Sequence, residues 1–199
     1  QLDFAGCVAK LERQAPAWTP GEATSYHAMT FGWLAGEIIR RASGRSPGAF
    51  LAEAVCGPLG ADIFVGLPES EDGRVAEILG PRREPDTGGA ALAPSALMAL
   101  TNPAQTPTAP NNRAWRAAEI PAANGQASAL GLARLYAMLA GGGEFDGVRV
   151  LSPQTIQRMT TPATTRGRTD QFLGFTDAWA MGLILNRPGV YGPNPDTFG

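Results

Sequence analysis

A helical repeat of apolar residues over residues 29–43 is the feature that most constrains how this chain can fold. The apolar positions are separated by three or four residues, the spacing of one helix face: Phe31, Leu34, Ile38 and Ala42. Arg40 and Arg41 lie near the end of the segment, where cations suit the helix dipole, and Gly44 is a typical C-terminal stop. The pattern predicts an amphipathic helix over residues 29–43.

Shorter patterns predict further helices and a few strands. The helices are expected over residues 3–14, 47–55, 94–101 and 126–140, and from Ser152-Pro153 onward. The strands are expected over residues 63–65, 148–151 and 180–186, while most of residues 66–122 reads as loop. Residues 180–186 make the best strand, and such a strand needs partners that the sequence does not supply. We therefore expect a helix-rich body whose sheet is completed by residues beyond the chain ends.

The composition is that of a folded domain without an obvious charged partner. Of the 199 residues, 44% are hydrophobic and 17% are charged, and 25 Gly and 17 Pro indicate many turns. The net charge is −2 and there is no basic run, so we expect no nucleic-acid or anionic membrane partner. No apolar stretch is long enough to span a bilayer. No signal peptide is visible, so a cytoplasmic location is the expectation.

Residue counts limit the possible chemistry. The chain has two cysteines, Cys7 and Cys56, one histidine, His27, and a single lysine, Lys10. Two cysteines do not make a disulfide framework in a chain of this length, and we expect them to be small buried apolar residues. One histidine nearly excludes a zinc site of several ligands, so no metal and no cofactor are expected.

Two short patterns imitate nucleophile motifs. Ser46 lies in Gly44-Arg45-Ser46-Pro47-Gly48, which matches the G-x-S-x-G elbow of other hydrolases. A helix precedes it instead of a strand, and Pro47 has no N–H to offer an oxyanion, so Ser46 is predicted to be a helix N-cap. Cys7 stands three residues before Lys10 on one predicted helix face, a pairing that an ordinary amphipathic helix also explains.

The segment around Tyr26 is more specific. A Pro-Gly turn precedes the tyrosine, aromatic and glycine residues follow it, and a helix with an Ile-Ile pair ends in Ser-Gly. In this sequence the pieces are Pro20-Gly21-Glu22-Ala23-Thr24-Ser25-Tyr26-His27-Ala28, Phe31-Gly32-Trp33, Glu37-Ile38-Ile39 and Ser43-Gly44. This segment resembles the second motif of class C β-lactamases and family VIII carboxylesterases, members of the penicillin-binding-protein superfamily of serine hydrolases.

The resemblance continues along nearly the whole chain and in the family's order. Its further pieces are the Pro-Leu-Gly stop at Gly57-Pro58-Leu59-Gly60, the active-site border at Ala122-Ala123-Asn124-Gly125, the turn at Gly142-Gly143-Glu144-Phe145-Asp146-Gly147 and the helix start at Val150-Leu151-Ser152-Pro153. Four such pieces in the family's order argue against a chance match.

Two departures separate this chain from the family pattern. Ala28 stands where the β-lactamases usually carry an asparagine that helps hold the amide side chain of a β-lactam, which favours the esterase branch. The family's Ser-x-x-Lys should lie many tens of residues before the tyrosine, yet Lys10 lies only 16 residues before Tyr26 and no serine stands three before it. The third motif should follow a strand such as residues 180–186, and Phe198-Gly199 looks like its lead-in. We therefore expect residues 1–199 to be the central part of one domain.

The resemblance implies an α+β fold of the β-lactamase/transpeptidase type, with only part of its antiparallel sheet in this chain. It implies hydrolysis of small carboxylic esters through an acyl-serine, with Tyr26 catalytic and either tyrosine or lysine acting as base. A β-lactamase or D-Ala-D-Ala peptidase is the alternative, and a non-catalytic binding module that has lost its nucleophile is another. His27, Trp18 and Asn124 are the candidate substrate contacts, although Trp18 can simply pack and Asn124 equally suits the N-cap of the following helix.

Overall fold

The chain divides into two compact units. The computed structural model describes residues 2–80, 94–102, 104, 106–164, 167–174, 179–187 and 191–199. Unit 1 consists of Gln1–Ala15 and His27–Leu135, and unit 2 of Pro16–Tyr26 and Tyr136–Gly199. Part of the predicted long connection, residues 81–93, lies outside the described residues.

Helices dominate the described residues, and the strands are short. The α-helices are α1 (Phe4–Leu11), α2 (Thr30–Ser43), α3 (Pro47–Leu51), α4 (Gly57–Leu59), α5 (Pro94–Thr101), α6 (Arg113–Ala117), α7 (Ala129–Ala140) and α8 (Pro153–Met159). The strands are β1 (Ile63–Val65), β2 (Gly125–Ala127), β3 (Glu144–Phe145) and β4 (Val148–Arg149), and 3₁₀ turns cover Glu69–Arg74 and Ala109–Asn111. The prediction of a helix-rich chain with little antiparallel sheet is confirmed.

Helices α1 and α2 begin and end where the sequence predicts stops and caps. The Asp3 carboxylate accepts the Gly6 N–H at 3.0 Å, which caps α1. Helix α2 ends at Gly44, whose φ of 72° is left-handed, and its N–H bonds the Arg40 carbonyl at 2.9 Å.

The face that α2 buries is not the one that carries the apolar stripe. Phe31, Leu34 and Ile38 are 48%, 42% and 70% exposed, and Ala42 is exposed as well. The buried positions are Gly32, Trp33, Gly36 and Glu37. The two glycines explain the difference, because they allow neighbouring groups to approach the helix more closely than branched apolar side chains would. The apolar stripe therefore predicted the helix correctly, but it does not mark the face that is buried.

A single helical run continues from α3 to α4 through a π turn. That turn, Ala52–Cys56, precedes Pro58, and the Gly57 N–H bonds the Ala52 carbonyl. Pro58 lacks an N–H and its ring would crowd the carbonyl four residues earlier, so a wider turn at this place relieves the conflict. The run stops at Leu59 because Gly60 adopts a left-handed φ of 57°.

The core of unit 1 is built on two tryptophans. Trp33 of α2 packs with Trp115 of α6 and with Ile120, which is fully buried. Partly buried residues of α1 pack against this cluster, among them Cys7. Both cysteines are free thiols. The predicted burial is confirmed for Cys56, whereas Cys7 is only half-buried at the edge of this cluster.

Unit 1 also contains an antiparallel pair that the sequence did not reveal. Strand β1 pairs with β2, with Ile63 opposite Ala127. The helix predicted from residue 126 starts only at Ala129, after Ser128 has accepted the Gly131 N–H at 2.9 Å. Gln126 thus lies in a strand, because pairing with β1 outweighs the helical preference of its neighbours.

Unit 2 contains a small hairpin and a capped helix. Strands β3 and β4 pair antiparallel around Asp146 and Gly147, whose φ values are 50° and 76°. Positive φ at both positions is typical of a two-residue hairpin turn. Helix α8 begins with Ser152 accepting the Thr155 N–H at 3.1 Å, as predicted.

The strand predicted over residues 180–186 is wrong as one continuous element. The chain reverses at Met181-Gly182, so Trp179 pairs with Ile184, and the Ala180 N–H bonds the Leu183 carbonyl at 2.8 Å. Gly182 has a φ of 76° and permits the reversal. The second arm then pairs with the chain end, Leu185 opposite Phe198. Throughout the described ranges, no helix combines the length and apolar character needed to cross a membrane.

Candidate active site

Tyr26 lies at the end of a short segment of unit 2 and contacts two other aromatic rings. Its ring centroid is 5.3 Å from that of Phe172 and 5.6 Å from that of Trp179. The Trp179 ring is stacked at 29° and the Phe172 ring is tilted at 47°. Tyr26 remains 38% exposed, and no hydrogen bond within the described part of the chain holds its hydroxyl. The ring is thus held by these contacts, while the hydroxyl has no partner among the described residues.

A buried carboxylate organises the two rings beside Tyr26. Asp170 is 1% exposed, and its Oδ1 accepts the N–H groups of Phe172 and Leu173, both at 2.8 Å. Its Oδ2 accepts the indole N–H of Trp179 at 3.3 Å. These bonds satisfy a group that would be costly to bury alone.

Main-chain bonds connect the segment before Tyr26 to the Asp170 loop. Thr24 pairs with Asp170 as a parallel bridge, and the Thr24 carbonyl accepts the Gln171 N–H at 2.9 Å. Arg168 donates to the Gly21 carbonyl at 2.7 Å. The predicted motif from Pro20 to Tyr26 is therefore held in place by a loop far away in sequence.

Trp18 belongs to the same unit as Tyr26 and is half-buried. Among the described residues it makes no ring contact with Tyr26. Its substrate contact stays a prediction, and so does its alternative role in packing.

His27 belongs to unit 1 and is exposed at the start of the segment leading into α2. Its Nε2 hydrogen-bonds the hydroxyl of Thr30, the first residue of that helix. Although the residue is exposed, part of its imidazole is shielded from water, and this partial desolvation lowers the pKa of the ring below its usual value. The neutral form is therefore favoured. A neutral His27 can both donate and accept a hydrogen bond, so its predicted substrate contact is chemically reasonable and stays a prediction.

Asn124 does not cap the helix that follows it, which was one of its two predicted roles. It is fully buried in unit 1, where its Oδ1 accepts the Ile120 N–H at 2.9 Å and its Nδ2 donates to the Trp115 carbonyl at 2.9 Å and to that of Ala118. The N-cap role falls to Ser128 instead. Both amide hydrogens and one oxygen lone pair are used inside the protein. The predicted substrate contact of this buried side chain stays a prediction.

The structure gives Ser46 and Cys7, the two residues in nucleophile-like patterns, structural roles. Ser46 accepts the Ala49 N–H at 3.3 Å with Pro47 in the first turn, so its predicted N-cap role is confirmed. Cys7 packs in the unit 1 core while Lys10 is exposed in the last turn of α1. Nowhere in the described ranges do three or more His, Cys, Asp or Glu side chains gather as they would around a metal ion.

Asp170, Phe172 and Trp179 are residues of this site that the sequence patterns did not reveal. Asp170 is the first residue of an Asx turn, in which its carboxylate accepts the N–H of Phe172. The signal in the sequence is an aspartate at the start of Asp170-Gln171-Phe172-Leu173-Gly174. Nothing in periodicity connects that turn to Tyr26, since their contact depends on the fold.

Known proteins resemble this chain over all or most of its length. The β-lactamase family model matches residues 2–199. A crystal structure of a family VIII carboxylesterase superposes with a TM-score of 0.90 at 42% identity, covering 100% of this chain and 52% of that one. A penicillin-binding protein homologue from Caulobacter crescentus gives 0.85 at 40% identity, again over 100% and 52%. Esterase/beta-lactamase LipL from Mycobacterium tuberculosis is 34% identical over 80% of this chain and 40% of its own length.

These similarities agree with the motifs and with the helix-rich fold. The chain spans about half the length of the solved structures it matches. Its fold is of the β-lactamase/transpeptidase type, and the chain belongs to the β-lactamase family.

Proposed function

We propose that the protein containing this chain is a serine hydrolase that acts on small carboxylic esters, and that these 199 residues form the central part of its catalytic domain. The observation that carries the proposal is the setting of Tyr26, the predicted motif tyrosine: its ring contacts those of Phe172 and Trp179, and no hydrogen bond within the described residues holds its hydroxyl. The similarity to a family VIII carboxylesterase and to LipL supports the choice of ester hydrolysis.

The reaction proceeds through a covalent intermediate. A serine outside these residues attacks the ester carbonyl and expels the alcohol, and water then hydrolyses the acyl-serine. In this proposal the Tyr26 hydroxyl passes the serine proton to the leaving alcohol, and a lysine of the nucleophile motif is the alternative base. The proposed chemistry requires neither a metal nor a cofactor.

Esters are favoured over β-lactams by one residue. Ala28 occupies the position at which the β-lactamases usually carry an asparagine. Its methyl group offers no hydrogen bond to the amide side chain of a β-lactam. The second candidate is a β-lactamase or peptidase, because the chain is also similar to an esterase/beta-lactamase and to a penicillin-binding protein homologue.

The experiment compares hydrolysis of a p-nitrophenyl ester and of nitrocefin by the full-length protein and its Tyr26→Phe variant. We expect the ester to be the better substrate, and Tyr26→Phe to lower kcat by about 100-fold or more, the range for losing a general acid or base. Tyr136→Phe is the matched control, since Tyr136 is a similarly exposed tyrosine at 46% on α7. Near-normal ester turnover in Tyr26→Phe contradicts the assignment, faster nitrocefin cleavage favours the second candidate, and no turnover of either substrate favours a binding module.

A further inference from the structure

We infer that Asp170 is the positioning residue for Tyr26, acting through the Trp179 indole and the Phe172 ring. The inference rests on the proposed role of Tyr26 in acylation. Asp170 is too deeply buried to meet a substrate, being 1% exposed, so any effect on the reaction must pass through its neighbours.

Each oxygen of the Asp170 carboxylate orients one of the rings that contact Tyr26. Oδ1 holds the backbone N–H of Phe172 and thereby sets the turn that presents this ring. Oδ2 holds the Trp179 indole N–H. A charged acceptor makes stronger hydrogen bonds than a neutral one, particularly where water is excluded.

The orientation of the Trp179 indole depends on its hydrogen bond to Asp170, because the main-chain bonds of Trp179 are made to other residues. The Trp179 N–H donates to the Thr164 hydroxyl at 2.9 Å, and its carbonyl accepts the Ala163 N–H at 2.7 Å. These bonds fix the main-chain position of Trp179. They do not restrict rotation of the indole about its side-chain torsions. The Asp170 carboxylate fixes that rotation, and the 5.6 Å stack transmits it to Tyr26.

Asp170 also reaches Tyr26 along the main chain. It pairs with Thr24, two residues before Tyr26, and the next N–H, that of Gln171, bonds the Thr24 carbonyl at 2.9 Å. The same buried carboxyl group therefore positions both the ring of Tyr26, through Trp179 and Phe172, and its backbone, through Thr24. Since the hydroxyl of Tyr26 has no bond of its own in the described residues, this support decides where the hydroxyl points. Displacements of the order of 1 Å reduce rates by up to about 100-fold.

The central variants are Asp170→Asn and Trp179→Phe in the full-length protein. An asparagine has one side-chain acceptor where the carboxylate has two, so it cannot serve both the backbone N–H groups and the indole. Trp179→Phe retains an aromatic ring but removes the indole N–H. We expect each variant to lower kcat for the p-nitrophenyl ester by about 10- to 100-fold with KM little changed. The double variant should lose no more than the worse single one, because both remove the same bond.

A fluorine NMR measurement tests the effect of Asp170 on Trp179 independently of catalysis by Tyr26. With 5-fluorotryptophan incorporated, the Trp179 resonance is identified by its loss in Trp179→Phe, and it should shift in Asp170→Asn. Ser152→Ala is the matched control, since it removes a side-chain acceptor of a backbone N–H in the same unit, and it should leave that resonance and kcat unchanged.

The outcomes are distinct. An unmoved Trp179 resonance in Asp170→Asn, or normal kcat there while Tyr26→Phe is inactive, overturns the positioning role and leaves the proposed function intact. Additive losses in the double variant overturn the route through the indole. If Tyr26→Phe retains normal turnover, the proposed function fails, and the fluorine resonance alone then supports or overturns the control of Trp179 by Asp170.

Discussion

The hydroxyl of Ser46 donates a hydrogen bond of 2.6 Å to Glu119, a residue 73 positions further along the chain. The same hydroxyl oxygen accepts the Ala49 N–H at 3.3 Å and so caps α3. A serine occupied in this way is a structural link between two segments of unit 1, in spite of the G-x-S-x-G pattern around it.

Ser46→Ala should therefore lower stability and leave the reaction alone. Loss of an N-cap costs about 1 kcal/mol, which urea unfolding can measure. Ester turnover by the full-length protein should be unchanged. Abolished turnover at unchanged stability would identify Ser46 as the nucleophile and reverse this interpretation.

Gly36→Ala should destabilise unit 1 even though alanine is the better helix former. A Cβ at this position would lie 2.9 Å from Pro47 Cγ and 3.0 Å from the Phe4 ring. Overpacking costs about 1–3 kcal/mol, whereas the gain in helix propensity is at most about 1 kcal/mol. Urea unfolding should show a net loss, and a more stable variant would mean that α2 does not pack as described.

The pH dependence of stability should reflect Glu37. Hydrogen bonds from Arg40 and Arg41 lower the pKa of this carboxyl from its ordinary value of 4.5 to about 2. A carboxyl with a lowered folded-state pKa stabilises the fold above its unfolded pKa, and the contribution is lost as pH falls from about 4.5 to about 2.

Glu37→Gln should accordingly be less stable than the wild type at neutral pH and lose less of its stability across that acid window. Thermal unfolding at several pH values measures the difference. Glu12→Gln is the control, because Glu12 also pairs with Arg41 but its side chain is 54% exposed and such pairs contribute little. Parallel pH profiles for wild type and Glu37→Gln would contradict the role of Glu37.

Asn124→Ala should behave as a core variant. It leaves the Ile120 N–H and the Trp115 carbonyl without their buried partner, and each unsatisfied group costs about 1–3 kcal/mol. We expect a marked loss in urea unfolding, with KM for the ester unchanged in whatever fraction remains folded. A raised KM at normal stability would restore Asn124 as a substrate contact.

Local signals in the sequence predicted local structure well. Gly44 and Gly60 end helices, and Ser46 and Ser152 cap them, because each of these residues acts on its own backbone or on that of its immediate neighbours. The order of motifs around Tyr26 also gave the family correctly.

The errors concern choices that depend on distant partners. The buried face of α2 is set by close approach at Gly32 and Gly36, so the apolar stripe did not reveal it. Residues 180–186 are apolar enough for one strand, yet the chain turns at Gly182. Asp170 was missed because its contact with Trp179 exists only after the loop has folded.

The central claim is that Tyr26 serves a nucleophile lying outside these residues. No serine in the chain stands three residues before a lysine, and the only lysine, Lys10, has Cys7 at that position. One covalent probe applied to three proteins tests both the role of Tyr26 and the place of the nucleophile.

The most direct measurement is intact-mass spectrometry after incubation with a fluorophosphonate. The full-length protein should gain one adduct, Tyr26→Phe should gain it more slowly, and the 199 residues made alone should gain none. A stoichiometric adduct on a serine within residues 1–199, or labelling of Tyr26→Phe at the wild-type rate, would contradict the account.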